Sequence, residues 1–346
     1  MKVNSIIRRI LPPISALVVG GLLIWMLGYD PVNAYIEMAK GAFVGKLSIG
    51  TTIEKFSSIF LLALAFALTM KTKYFNLGAE GAYYLGALSA TGIGLIAGLP
   101  AAVHIPLTIL GAMIAGGIWQ AIPGYLRAFH KVNEAVSTIM FNYIATLFSS
   151  YMVLFVWADT SSSSSRTILI QESAQFVKIL RPSRVNSSIF LLIIVFAIVY
   201  WLVHKTTFGL KLQSIGFNPL FTEYIGFNVK RTIVAVTALS GAIAGLAGGL
   251  VTMGVYYSMW DNFSLGTAFD GMLASIIAKN DIRYIPLTAF FIAAFKAGAL
   301  GMERNTGIPK SITDMIVPIL IILLTTNELF DISLTKLVKK SIKVQR

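Results

Sequence analysis

Of 346 residues, 56% are hydrophobic and only 12% are charged, and mean hydropathy is +0.77; soluble domains carry about 25% charge, so a water-soluble fold is excluded. The 28 Lys and Arg against 15 Asp and Glu give a net charge of +13, but the basic residues fall in short loops, where they orient membrane helices rather than bind nucleic acid. There is no cysteine, which excludes disulfides, thiolate metal sites and thiol nucleophiles.

The chain opens with Lys2, Arg8 and Arg9 ahead of an apolar stretch from Ile10 to Leu27. That outline resembles a secretory signal, but no small-residue cleavage pattern follows and the run is long enough to span when tilted. An uncleaved first helix at 10–28 is expected. Further spanning segments of roughly 17 to 25 residues are expected at 56–73, 81–99, 104–124, 134–157, 188–204, 232–255, 266–279, 284–302 and 308–326. The fold class is therefore all-α and polytopic, with about ten transmembrane helices. The segment 266–279 is short and reads as a tilted, broken or re-entrant element. No polar interval is large enough for a separate domain, so 1–346 reads as a single membrane domain.

Counted as crossings, these segments put Lys71, Lys73, Arg127, Lys131, Lys205, Lys211, Lys230, Arg231, Lys279 and Arg283 on one side, together with the basic tail from Lys336 to Arg346. The other side holds Asp30, Glu37, Glu54, Asp159 and Asp261, with Lys40, Lys46, Lys55, Arg181 and Arg184 as exceptions. The excess of positive charge orients both termini to the cytoplasm.

The longest external interval, 158–187, carries five consecutive serines, Ser161 to Ser165, read as a flexible linker. The following stretch, Thr167 to Leu180, reads either as a surface helix or as a solvated loop. In the seventh span Gly241, Gly245 and Gly249 recur every four residues after Thr237, spacing that lets helix backbones approach closely in lipid.

Enzyme chemistry finds no support. There is no zinc-protease His-Glu-x-x-His and no Gly-x-Ser-x-Gly elbow, and His104, His130 and His204 lie far apart. Gly41 to Ser48 is a near miss to a phosphate-binding loop, one residue short between its glycines. No catalytic residue, metal or cofactor is expected, and any ATP chemistry belongs to another polypeptide. The cytoplasmic loop 205–231 offers a place to receive its force. Asn218 and Pro219 supply an N-cap and a first-turn proline, Leu220, Phe221, Tyr224 and Ile225 share a face, and Gly226 ends the turn in a left-handed conformation. This predicts a two-turn amphipathic helix suited either to docking in a partner's groove or to lying on the membrane.

At these residues the chain resembles the branched-chain amino acid, ribose and nucleoside permease superfamily of bacterial ABC importers, nearest its nucleoside (basic membrane protein-dependent) branch. Phe75 to Gly81, FNLGAEG, is similar to the Asn-Ile-Gly-x-Glu-Gly signature, with Leu77 for isoleucine and Ala82 where glutamine often follows. Val132 to Ala145, VNEAVSTIMFNYIA, is similar to a segment of the nucleoside branch, and Phe269 to Leu273 matches a further one. Thr207 to Arg231 resembles the coupling segment, with Gly216, Asn218, Tyr224, Gly226 and Asn228 in place; Gln213 and Phe217 depart from its usual polarity. The resemblance implies a type II importer-like permease in the bacterial inner membrane, paired with a second permease subunit, two cytoplasmic ATP-binding subunits and an external substrate-binding lipoprotein. Its ATPase-coupling residues fall on Gly216, Asn218, Pro219, Phe221, Glu223, Tyr224 and Gly226.

Ionisable and amide groups at membrane depth are costly unless they face a cavity or a partner. Asn76, Glu80, Asn142 and Asp270 are thus candidates either for hydrogen-bonding a small polar solute or for locking helices together. The implied solute is a nucleoside; a simple sugar is the alternative within the superfamily. An ion-coupled secondary transporter is the alternative outside it, with only Glu80, Glu134 and Asp270 available for an ion site.

Overall fold

The computed structural model describes residues 18–264, 266–309, 311 and 315. The start of the expected first span, most of the expected 308–326 span and the basic tail lie outside them. Helix α1 covers 18–26, followed by α2 (Pro31–Phe43), α3 (Lys46–Met70), α4 (Ala79–Gly94), α5 (Ala101–His130) and α6 (Glu134–Tyr151). Then come α7 (Ser188–Lys205), α8 (Thr207–Phe217), α9 (Pro219–Tyr224), α10 (Val229–Val251), α11 (Thr267–Ile277) and α12 (Ile285–Thr306). A π-helical turn extends α6 over Met152–Val156 and another extends α10 over Thr252–Tyr256. Among the described residues the only β-pairings are isolated bridges.

Among the described residues six helices, α3, α5, α6, α7, α10 and α12, are long and apolar enough to cross a membrane. The protein is thus a helical membrane protein. Helices α4 and α11 are shorter, at 16 and 11 residues.

Three expectations need correction. Helix α3 starts at Lys46, ten positions before the expected 56, because the helix runs on beyond its most apolar stretch through the polar residues Thr51, Thr52, Glu54 and Lys55; Thr51 Oγ1 donates back to Leu47 O at 2.9 Å. Such back-bonding hides polarity that a hydropathy reading counts against a span. Helices α2 and α8 were not expected; both are capped by side chains, Asp30 accepting from Val32 N and Thr206 from Gly209 N. The serine run is a clasped turn rather than a free linker, since Asp159 accepts from Ser161 N and Oγ and pairs with Arg166 at 3.0 Å.

The described residues divide into two compact units. One comes from positions up to 52 and from 294 onward. In it α2 lies close enough to α12 that a side chain at Gly41 would meet the Gly301 backbone, and Asn305 donates to Glu37 at 2.5 Å.

The other unit, Ile53–Ala293, centres on α10, 67% of whose apolar window is buried, against 22% for α6 and 28% for α5 and α7. Small residues bring α10 onto its neighbours. Gly245 lies between α4 and α5, against the backbone at Gly86 on one side and at Ala112 and Gly116 on the other. A side chain at Gly241 would meet Gly116 and Gln120, and one at Gly249 would meet Ala112. The outward face of α6 presents Met140, Tyr143, Leu147, Phe148 and Tyr151, an apolar stripe too large for a soluble monomer and suited to lipid.

The stretch Thr167 to Leu180 takes the loop alternative, with only a short 3-10 turn at Glu172–Ala174. Backbone bonds tie it to the ends of the helices: Ile168 N to Trp157 O at 2.9 Å, Gln171 N to Gly94 O at 2.8 Å, Ile170 N to Tyr257 O at 2.9 Å and Phe176 N to Met253 O at 3.0 Å. Buried His104 of α5 adds Ser173 Oγ at 2.8 Å and Ile93 O at 2.9 Å. Ile170, Ala174 and Phe176 are part of the core, so the loop closes this end of the bundle.

Candidate functional site

The segment between α3 and α4 turns inward, with Tyr74, Asn76 and Gly78 all buried. Asn76 Nδ2 donates to Ser240 Oγ of α10 at 3.1 Å, and Ser240 Oγ donates to Ala65 O of α3 at 2.8 Å. Asn76 Oδ1 accepts from Gly78 N at 2.8 Å and from Gln120 Nε2 of α5. Asn142 grips the start of α4 from α6: its Oδ1 accepts from Gly81 N at 2.8 Å and its Nδ2 donates to Leu77 O at 2.6 Å. Helix N-termini leave backbone donors without partners, and Gly78, the N-cap of α4, has no side chain to supply one. Asn142 supplies it from another helix. It lies eight positions after the first residue of α6, about 12 Å of helical rise, so α4 begins well inside the bundle.

Glu80, in the first turn of α4, accepts from Ala268 N in the first turn of α11 at 3.0 Å. A carboxylate is favoured beside helix N-termini, where unpaired N–H groups and the helix dipole converge. Asp270 is half-buried in that same first turn of α11. A small cleft lies alongside, lined by Phe66, Asn76, Leu77, Ala268 and Met272 among others. Two short helices thus begin beside one buried carboxylate.

The structure therefore separates the four pathway candidates. Asn76 and Asn142 direct their amides to protein partners and join α3, α4, α5, α6 and α10. Glu80 and Asp270 gather at the start of α11. Gln120 and Ser240, which complete the Asn76 network, were not singled out in the sequence; a lone glutamine within an apolar span was the available signal.

The coupling candidates lie in α8 and α9, directly ahead of α10 in the chain. Asn218 Oδ1 accepts from Phe221 N at 3.1 Å, Pro219 opens α9, and Gly226 has φ +90°. The helix is one six-residue element rather than two full turns. Thr222 is fully buried and donates to Asn218 O at 2.8 Å, while Phe221 is 59% and Tyr224 90% exposed and Glu223 is also exposed. Gly216 of α8 is buried with the Lys71 carbonyl against it. Nearby, burial pushes the Lys71 ammonium below its usual range against the opposing pull of Asp281, and the Arg283 guanidinium, 2.6 Å away, holds the Asp281 carboxyl below the usual carboxylate range.

A polytopic helical bundle with polar side chains locked at its centre is a helical membrane protein. The model of the branched-chain amino acid transport system permease component matches residues 48–325. The chain belongs to that family and is a permease component of a transport system. It is 30% identical to a guanosine ABC transporter permease protein, NupP of Bacillus subtilis, over 98% of each chain. It is 31% identical to a nucleoside ABC transporter permease protein, NupB of Lactococcus lactis, over 96% of this chain and 95% of the relative. A glucose ABC transporter permease protein, TsgB13 of Haloferax volcanii, is 28% identical over 93% of this chain and 87% of its own. No solved structure matches.

Proposed function

We propose that this chain is the membrane-spanning permease subunit of an ATP-driven importer of nucleosides. The whole chain acts as one permease domain in a bacterial cytoplasmic membrane, with both termini inside. It forms the pathway with a second permease subunit, receives solute from an external binding lipoprotein, and is driven by two cytoplasmic ATP-binding subunits.

The observation that carries the mechanical part is α9. Its cap and Thr222 fix the turn, yet Phe221 and Tyr224 project from it. An apolar face held rigid and outward suits insertion into a groove of a soluble partner. Gly216, Asn218, Pro219, Glu223 and Gly226 set its position. Substrate class rests on likeness to two nucleoside permeases over nearly the whole chain; likeness to a glucose permease makes a sugar the second reading.

Uptake of radiolabelled nucleosides and glucose by cells with and without the chain tests the reading. Nucleoside uptake that requires both this chain and an active ATPase is the expected result. Glucose uptake alone favours the sugar reading, and uptake by the purified chain in vesicles without partners overturns the ATP-driven one.

A further inference from the structure

Helix α8 stands between α7 and α9 in the chain. Its inward face is made by Gly209, Leu212, Ile215 and Gly216, all buried, while Leu210 and Phe217 are exposed. The two glycines set main chain against main chain. A side chain at Gly209 would fall on the Val203 carbonyl of α7, and one at Gly216 on the Lys71 carbonyl just past the end of α3. The two contacts are separated by about 10 Å of helical rise, so α8 rests on α7 at one end and on α3 at the other. Leu212 and Ile215, both fully buried, fill the space between.

No slack separates α8 from α9. Asn218 ends the first and caps the second: its N–H donates to Ser214 O at 2.9 Å, its carbonyl accepts from Thr222 N at 3.1 Å and Thr222 Oγ1 at 2.8 Å, and its side chain accepts from Phe221 N at 3.1 Å. A push on the exposed Phe221 and Tyr224 therefore moves α8 and α9 together. On the receiving side α3 ends at a left-handed residue, Lys73 with φ +57°. Tyr74 N donates to Thr69 O at 3.2 Å and Lys73 N to Met70 O at 3.0 Å, the pattern that ties off the last helix carbonyls. A short step on comes Asn76, buried and fixed to Ser240 and Gln120, and then the first turn of α4 with Glu80. A side chain standing between α8 and α3 would absorb a displacement by changing rotamer. Two backbones in contact have no such freedom.

We infer that α8 is a lever: displacement of α9 reaches the end of α3 through Gly216 against Lys71, and passes along residues 71–76 to Asn76 and the first turn of α4. Gly216 is a positioning residue, because only a glycine lets the two main chains touch. That α9 is pushed by an ATPase rests on the function proposed above; the contact at Gly216 does not.

The test uses the intact transporter with its ATPase. Thr72 is buried beside Gly216, and Thr72→Cys puts a single thiol there, since the chain has no cysteine of its own. In inside-out vesicles its labelling by a maleimide should differ by about fivefold or more between the nucleotide-free and vanadate-trapped states. Adding Phe221→Ala and Tyr224→Ala should abolish that difference. Gly216→Ala should keep insertion and ATPase co-purification at the parent's level, yet lower ATP-dependent uptake in cells by about fivefold or more. Equal labelling of Thr72→Cys in the two states, with uptake still dependent on ATP, overturns the lever whether or not Gly216→Ala folds, and leaves the proposed function standing. A difference that survives the two α9 substitutions overturns it as well, as does parental uptake by Gly216→Ala. Uptake that needs no ATP overturns the proposed function, and the lever with it.

Discussion

A side chain at Gly86 would fall on the backbone of Gly245: α4 and α10 touch main chain to main chain there. On its other face Gly245 meets α5, so one residue is the spacer for three helices. Substitution by valine has to force them apart, and overpacking of this kind costs about 1–3 kcal/mol or more. Gly245→Val should reduce the amount of folded chain recovered in mild detergent, whereas Leu147→Val on the outward face of α6 should not. Normal recovery of both would show that the close approach is dispensable.

Asn142 holds Leu77 O and Gly81 N at the start of α4. Asn142→Leu is close in volume but leaves both backbone groups unpaired, each costing about 1–3 kcal/mol. The thermal midpoint of the purified chain should fall, with uptake falling in parallel. Asn142→Asp keeps the acceptor for Gly81 and should lie between. If the leucine variant unfolds at the same temperature as the parent, the lock contributes little.

Glu80 joins α4 to α11 through Ala268 N. Glu80→Gln preserves an acceptor for that N–H but removes a charge placed beside helix N-termini, an effect of about 0.3–2 kcal/mol. Membrane insertion should be normal and uptake lower. Unchanged uptake at equal expression would mean that the charge has no part in transport.

For α9, combined Phe221→Ala and Tyr224→Ala should leave insertion and folding intact, because both side chains already face outward. Loss of an aromatic anchor costs about 2 kcal/mol or more at an interface, so co-purification with the ATPase should drop roughly thirtyfold. Association and uptake equal to the parent's would remove α9 from the coupling role.

Orientation is open to a direct chemical check, since the chain has no cysteine. Ser163→Cys, exposed in the serine turn, should react with an impermeant thiol reagent in intact cells. Lys205→Cys, exposed at the end of α7, should react only after permeabilisation. The same accessibility at both positions would overturn the proposed orientation.

What the sequence made legible was what is local. The span 188–204 agrees with α7 to within a residue, because it is an uninterrupted apolar run, and the Asn218–Pro219 start and Gly226 stop of α9 are signals contained within a single turn. Long-range features were hidden. Nothing near Thr167 reveals that it will bond to Met259, so the stretch reads as a surface helix or a solvated loop when it closes the bundle. In the sequence Asn76 looks the same whether it faces a solute or, as the fold places it, Ser240 and Gln120. The expected span falls short of helix α3 because Thr51, Thr52, Glu54 and Lys55 count as polar in any window.

The serine turn has a practical consequence. Ser161 to Ser165 stands clear of the core, yet its two ends are fastened together by Asp159 and Arg166 and the segments beyond are bonded to the helix ends. Exposed turns of this kind tolerate inserted sequence, and the fastening isolates the rest of the chain from whatever is placed there. An epitope inserted between Ser162 and Ser164 would ride on a rigid base, giving an antibody fragment a fixed grip on a protein whose remaining surface is largely apolar.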